Sequence, residues 1–227
     1  MSIQDNVIAV RRRVSAALDR AGREAGEVTV VAVTKTFGAD MVDAVVDAGV
    51  GDVGENRLQE FLAKAEGVAR SCRWHLVGHL QRNKARRAVG RFHLIHSIDS
   101  VRLAESVARI GEEMDEATRI LLQVNTSGEG TKSGFAPEEL SAVAGRIGTL
   151  PYIDLLGLMT IGPVTMDPDS TRRCFQELRA LCARARDATG LSLPELSMGM
   201  SGDFEMAIEE GATIVRLGRV ITGERPV

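Results

Sequence analysis

A single lysine closes an apolar run near the start of this chain. Residues 28–34 read Val-Thr-Val-Val-Ala-Val-Thr, the composition of a buried strand, and Lys35 follows at once. Burial at such a point disfavours the ammonium form. The neutral amine that results condenses with carbonyl carbon to give a Schiff base. The other reading is a lysine that marks the strand's end, its stem on apolar surface and its amine in water. A second candidate is the run Ser197-Met198-Gly199-Met200-Ser201-Gly202-Asp203. Small residues there lead into a helix starting near Gly202, where free amides and the helix dipole suit a phosphate, and Ser201 adds a hydroxyl. Gly218 and Arg219 repeat the pattern after a later strand. One such turn alone is adequately read as a capped helix start, but two together favour an anion site. Arg216, two residues before Gly218, lies inside an apolar strand and needs a polar partner. That partner is either Glu205 or another acid in a salt bridge, or an atom of a ligand.

Other reactive side chains carry less. The spacing of His75 and His79 would suit a metal site on a helix, but here it spans a strand and its exit, so the rings need not converge, and no carboxylate or cysteine completes a site with these or with His93 and His96. His93 and His96 differ in strand parity, which sends them to opposite faces. His79 reads as a hydrogen-bonded, non-catalytic histidine near the pocket. Cys72, Cys174 and Cys182 are odd in number and fit a reducing cytosol. Arg11-Arg12-Arg13 and the basic stretch 81–87 read as solvated helix faces. Trp74 is the sole tryptophan, so aromatic stacking of bases has little to work with.

These candidates are far apart in sequence, and the order of elements must gather them. A leading helix spans about 3–25. Strands follow at 28–34, 52–54, 73–77, 92–96, 119–124, 153–159, 195–198 and 213–217. Helices separate them at 39–48, 57–69, 81–89, 101–113, 137–148, 170–189 and 202–210. Eight strands alternating with helices predict one (β/α)₈ barrel domain over residues 1–227, with an extra N-terminal helix. The competing open sheet lacks its glycine-rich dinucleotide turn, because Lys35-Thr36-Phe37-Gly38 stands after the first strand. In a barrel the C-terminal strand ends share one face, which collects Lys35, Asn56, His79, Asn125, Met159, Ser201 and Arg216. The stretch 125–135, rich in Gly, Ser and Thr, reads as a mobile loop over that face.

Bulk properties narrow the function classes. The chain has 227 residues and a formal net charge of −3, which gives no general attraction to nucleic acid or anionic membranes. No run of 18 apolar residues suggests a membrane span, and the N-terminus has no signal-peptide core or cleavage site.

Seven stretches together resemble the YggS-type pyridoxal phosphate homeostasis proteins. They are VAVTKT (31–36), VGENRLQE (53–60), WHLVGHLQRNK (74–84), HSIDS (96–100), LLGLMTIGP (155–163), LSMGMSGD (196–203) and VRLGRVITGER (215–225). The resemblance implies a barrel like that of alanine racemase, holding pyridoxal 5'-phosphate as an internal aldimine on Lys35. It implies that Ser201 and the backbone of Gly202, Gly218 and Arg219 hold the phosphate. By the same resemblance Asn56 lies on the ring's 3-hydroxyl side, Met159 packs near the ring and Arg216 faces the pyridine nitrogen. Relatives often carry threonine or arginine at the position of Arg219; with arginine only the backbone contact is implied. An arginine leaves the ring nitrogen unprotonated and the ring a weaker electron sink. Racemases of this kind take a tyrosine from a second domain. The sole tyrosine here, Tyr152, precedes the sixth strand and belongs at the opposite end of the barrel. The expectation is a non-catalytic, monomeric, cytoplasmic carrier that passes the cofactor to apo-enzymes, with Lys132 a second amine assisting transfer. The alternative is a minimal amino-acid racemase, or a Schiff-base lyase working without cofactor.

Overall fold

The computed structural model describes residues 2–126, 133–163 and 167–224. Lys132, expected to assist transfer, lies outside the described residues. Eight parallel strands, β1 (Thr29–Val33), β2 (Asp52–Glu55), β3 (Arg73–Leu76), β4 (Leu94–Ile98), β5 (Thr118–Gln123), β6 (Ile153–Met159), β7 (Glu195–Ser197) and β8 (Ile214–Leu217), pair in chain order. β8 returns to β1, so the barrel closes and no sheet edge is left. Around it run α1 (Ile3–Arg20), α2 (Ala39–Asp47), α3 (Leu58–Lys64), α4 (Val101–Met114), α5 (Leu140–Gly148), α6 (Pro168–Thr189), α7 (Phe204–Glu209) and α8 (Arg219–Thr222).

Two apolar layers follow from strand periodicity. Val31, Val33, Val77, Leu94, Leu121, Met159 and Ile214 form a small cluster from alternate positions that fills the barrel interior. The larger cluster lies between strands and helices. Lys35 shares the parity of Val31 and Val33, so the first strand aims it inward. β6 breaks the alternation at Gly157, where φ is +158° and an added Cβ would stand 1.9 Å from the Glu195 carbonyl oxygen. The register of β5 against β6 slips at this point. The slip lets Leu156 and Met159, three residues apart, join the same interior cluster.

Some expected elements are shorter. The leading helix stops at Arg20, and Gly22 follows at φ +64°. The stretch 81–89 holds only a 3₁₀ helix, Arg82–Arg87, closed by bonds such as Lys84 N–H to Gln81 O at 2.9 Å. The helix expected over 57–69 ends as an α-helix at Lys64.

Helix α1 opens with a capping box between Ser2 and Asp5 and buries Val7, Val10, Val14, Ala17 and Leu18. Its arginines do more than face water. Arg11 donates to the Gly49 carbonyl at 2.8 Å, and Arg13 forks onto both Glu205 oxygens at 3.1 and 2.7 Å. Asn6 donates to the Ile221 carbonyl at 2.9 Å. α1 therefore braces α7 and α8, the two short helices that follow the candidate phosphate turns. Among the described residues, no helix is long and apolar enough to cross a membrane.

Candidate binding site at the barrel mouth

A cavity of about 370 Å³ opens at the C-terminal ends of the strands. Lys35, Asn56, Ser201, Gly202, Arg216, Gly218 and Arg219 all line it, with Val33, Val77, Ile161, Met200 and Asp203. These polar groups come from β8 and from the segments just after β1, β2, β7 and β8, so closure of the barrel brings them together. Met159 does not line the cavity; it is fully buried in the interior cluster. His79 stands on the rim, its Nδ1 3.0 Å from an Asp99 oxygen, and lines neighbouring clefts instead. Asn125 lies in one of those clefts. The ends of the 125–135 stretch are clasped, with Asn125 N–H on the Phe135 carbonyl at 3.0 Å and Phe135 N–H on the Gln123 carbonyl at 2.8 Å.

Lys35 is held by its chain neighbours. Thr34 points outward, where its hydroxyl donates to Glu55 Oε1 at 2.6 Å. Lys64 from α3 reaches the same oxygen at 2.8 Å and the Thr34 carbonyl at 3.0 Å. On the other side of Lys35, Thr36 adopts φ +72°, a costly conformation for a β-branched residue. Its N–H donates to Glu60 Oε2 at 3.0 Å. Glu60 and Lys64 lie one helical turn apart, so α3 grips both flanks of Lys35. Burial pushes the Glu55 carboxyl up, against the hydrogen bonds from Lys64 and Thr34. Nothing in the sequence spacing announced this grip.

The two turns fit an anion. Gly199 at φ +93° is a true glycine position, since a Cβ would meet Ala207 Cβ at 2.6 Å. It bends the chain so that Ser201 and Gly202 face the cavity. Among the described residues the Ser201 and Gly202 amides make no hydrogen bond to a backbone carbonyl. A Cβ built on Gly202 meets nothing within 4 Å, and one on Gly218 meets only the Val33 carbonyl oxygen at 3.7 Å. Space in front of both glycines is thus unfilled by the protein. Arg219 opens α8, so its amide has no carbonyl one turn back.

Arg216 is not paired with Glu205, as one reading of the sequence had it. Glu205 sits on α7 facing α1, where Arg13 takes it. Arg216 is buried, with Nη1 donating to Ser197 Oγ at 2.6 Å and Nη2 to the Thr160 carbonyl at 2.8 Å. Burial lowers its pKa to about 10, an arginine still charged at neutral pH. Asp203, a wall residue to which the sequence reading gave no role, acts on it as a countercharge. Burial pushes the Asp203 carboxyl up, while the Met200 amide and Arg216 pull it down. Asn56 is set by Gly78: a Cβ there would stand 2.0 Å from the Asn56 carbonyl oxygen. Among the described residues no cluster of His, Cys, Asp and Glu has metal-holding geometry.

The sequence matches the family described as "Alanine racemase, N-terminal domain" over residues 6–226. It is 38% identical over 226 residues to the pyridoxal phosphate homeostasis protein of Aquifex aeolicus, covering 99% of each chain. The counterpart in Synechocystis is 41% identical over 200 residues, covering 87% of this chain and 92% of its own. Among solved structures, PipY of Synechococcus elongatus with PLP bound superposes at TM-score 0.87 with 34% identity, covering 98% of this chain and 100% of that one. The chain belongs to the alanine racemase N-terminal domain family and, within it, to the pyridoxal phosphate homeostasis proteins.

Proposed function

We propose that this chain binds pyridoxal 5'-phosphate in the mouth cavity and acts as its carrier and buffer in the cytoplasm, as a monomeric single barrel that supplies apo-enzymes. The observation that carries this reading is the shared wall. One cavity combines the Lys35 amine, two glycine turns with open amides and a donor-only arginine. Bound there, the aldehyde supplies a reversible condensation with an amine, releasing one water. Lys35 is the anchoring amine. The Ser201 hydroxyl and the amides of Gly202, Gly218 and Arg219 hold the phosphate. Arg216 donates to the ring nitrogen, and Asn56 stands on the hydroxyl side. Met159 lies beneath the cavity, supporting its floor from the interior cluster.

A carrier needs retention and release without turnover. Tyr152 supports that reading, since it sits before β6 with its hydroxyl on Asp115 at 3.2 Å, away from the mouth. Asp203 is the carboxylate of the wall, and its Oδ1 is engaged by the Met200 amide. The loaded protein is expected to restore activity to an apo-enzyme while leaving a panel of single-enantiomer amino acids unchanged in chirality. Racemization faster than about 1 s⁻¹, within the ordinary enzyme range, overturns the carrier reading. Loss of that turnover in Asp203→Asn would then identify the missing base.

A further inference from the structure

A chain of buried polar groups crosses the otherwise apolar barrel interior and ends on Arg216. Asp52 Oδ1 lies 2.9 Å from His75 Nε2. His75 Nδ1 lies 2.9 Å from His96 Nε2, and His96 Nδ1 lies 2.8 Å from Ser197 Oγ. Ser197 Oγ receives Arg216 Nη1 at 2.6 Å. The five residues stand on β2, β3, β4, β7 and β8, and all are buried.

Proton counting gives this chain one direction. Asp52 also accepts both nitrogens of the Arg73 fork, at 2.7 and 2.6 Å, and is a carboxylate with no proton to give. His75 Nε2 must therefore donate. At the far end a guanidinium only donates, so Ser197 Oγ must accept. The Ser197 proton then has His96 Nδ1 as its acceptor within the chain. That leaves His96 Nε2 as the N–H, donating to a bare His75 Nδ1. Every proton is placed with both imidazoles neutral. The reversed arrangement needs a second proton on His75 and leaves the fully buried Ser197 hydroxyl proton without a partner in the chain.

We infer that Asp52, His75, His96 and Ser197 form a one-way hydrogen-bond relay that orients Arg216 in the mouth cavity and so selects a ligand presenting a bare, uncharged ring nitrogen to it. The selection clause rests on the function proposed above; the direction of the relay does not. His75, His96 and Ser197 are positioning residues, since they act through Arg216. A fixed donor there rewards a lone pair and repels a cation, and a polar group held rigidly discriminates more sharply than one free to swing away.

The test has two arms. Long-range ¹⁵N–¹H correlation spectra of the unliganded protein are expected to show His75 and His96 both neutral and both protonated at Nε2. A doubly protonated His75, or a proton on His96 Nδ1, overturns the relay. In the second arm, pyridoxal phosphate and its N-methyl pyridinium analogue are titrated into the wild type, Ser197→Ala, His96→Leu and His96→Gln. The wild type is expected to prefer the unmethylated compound by on the order of ten- to a hundred-fold. Ser197→Ala and His96→Leu should narrow that ratio several-fold. His96→Gln, whose amide can accept from Ser197 and donate to His75, should restore it. Equal ratios in all four proteins overturn the selection. If pyridoxal phosphate does not bind at all, the function proposed above fails and the spectra still decide the relay.

Discussion

The barrel has a cavity at each end, and the two are alike in size and opposite in character. The one at the base, between α1 and the start of the strands, measures about 390 Å³, against about 370 Å³ at the mouth. At the base the lining is largely α1 and strand valines, and its two arginines are engaged: Arg11 on the Gly49 carbonyl, Arg73 forked onto Asp52. At the mouth Lys35, Asn56, Ser201, Arg216 and Arg219 converge on the turns at Gly202 and Gly218. Volume does not separate the two. What separates the two is the convergence of polar side chains from several strands on one wall, and that is what a ligand can use.

The largest effect should come from the grip behind Lys35. Lys64→Met leaves Glu55 fully buried without its cation, which should cost about 3–5 kcal/mol of stability at neutral pH. The sign with pH follows from the raised Glu55 carboxyl. A group raised in the folded state supports stability below its unfolded pKa and loses that support as pH rises through the folded value. Chemical denaturation of the variant should therefore show a smaller deficit near pH 4 than at pH 7; an equal deficit at both would show that Glu55 is not the source. Next in size, Ser201→Ala should weaken retention of pyridoxal phosphate by about 1.5–3 kcal/mol in equilibrium titration, with the unfolding midpoint unmoved.

The base should answer in the opposite way. Val10→Ala on α1 removes buried methyl groups and should lower stability by roughly 1–2 kcal/mol, leaving cofactor retention as it was. A change in retention comparable to that of Ser201→Ala would mean the two ends are coupled through α1. The smallest effect is at Cys72. Burial, then Asp43 and Asp52, push its thiol up to about 11. Its reaction with a disulfide reagent at pH 8 should run more slowly in the folded protein than in the denatured chain.

Much of the mouth was legible because its signals are local. A lysine ending an apolar strand, and glycines following two others, sit within a few residues of the elements that explain them. The eight-fold alternation then predicts that they converge. What stayed hidden depends on partners far along the chain. The relay joins residues 21 and 101 positions apart, and composition does not mark Asp52 or Ser197 as unusual. His75 and His96 were set aside as lacking a carboxylate, because Asp52 stands 23 residues away on another strand. Glu205 was a plausible partner for Arg216 until α1 was seen to occupy it. Position at a strand's C-terminal end put Lys35 and Met159 on one face, yet a bulge at Gly157 turns Met159 into the interior cluster instead.

Reduction of the loaded protein with borohydride, followed by peptide mapping, tests the central claim most directly. The account predicts one phosphopyridoxyl group, on the peptide carrying Lys35, and no stable label in Lys35→Ala. A label of equal yield on another lysine, or an unlabelled chain, contradicts it.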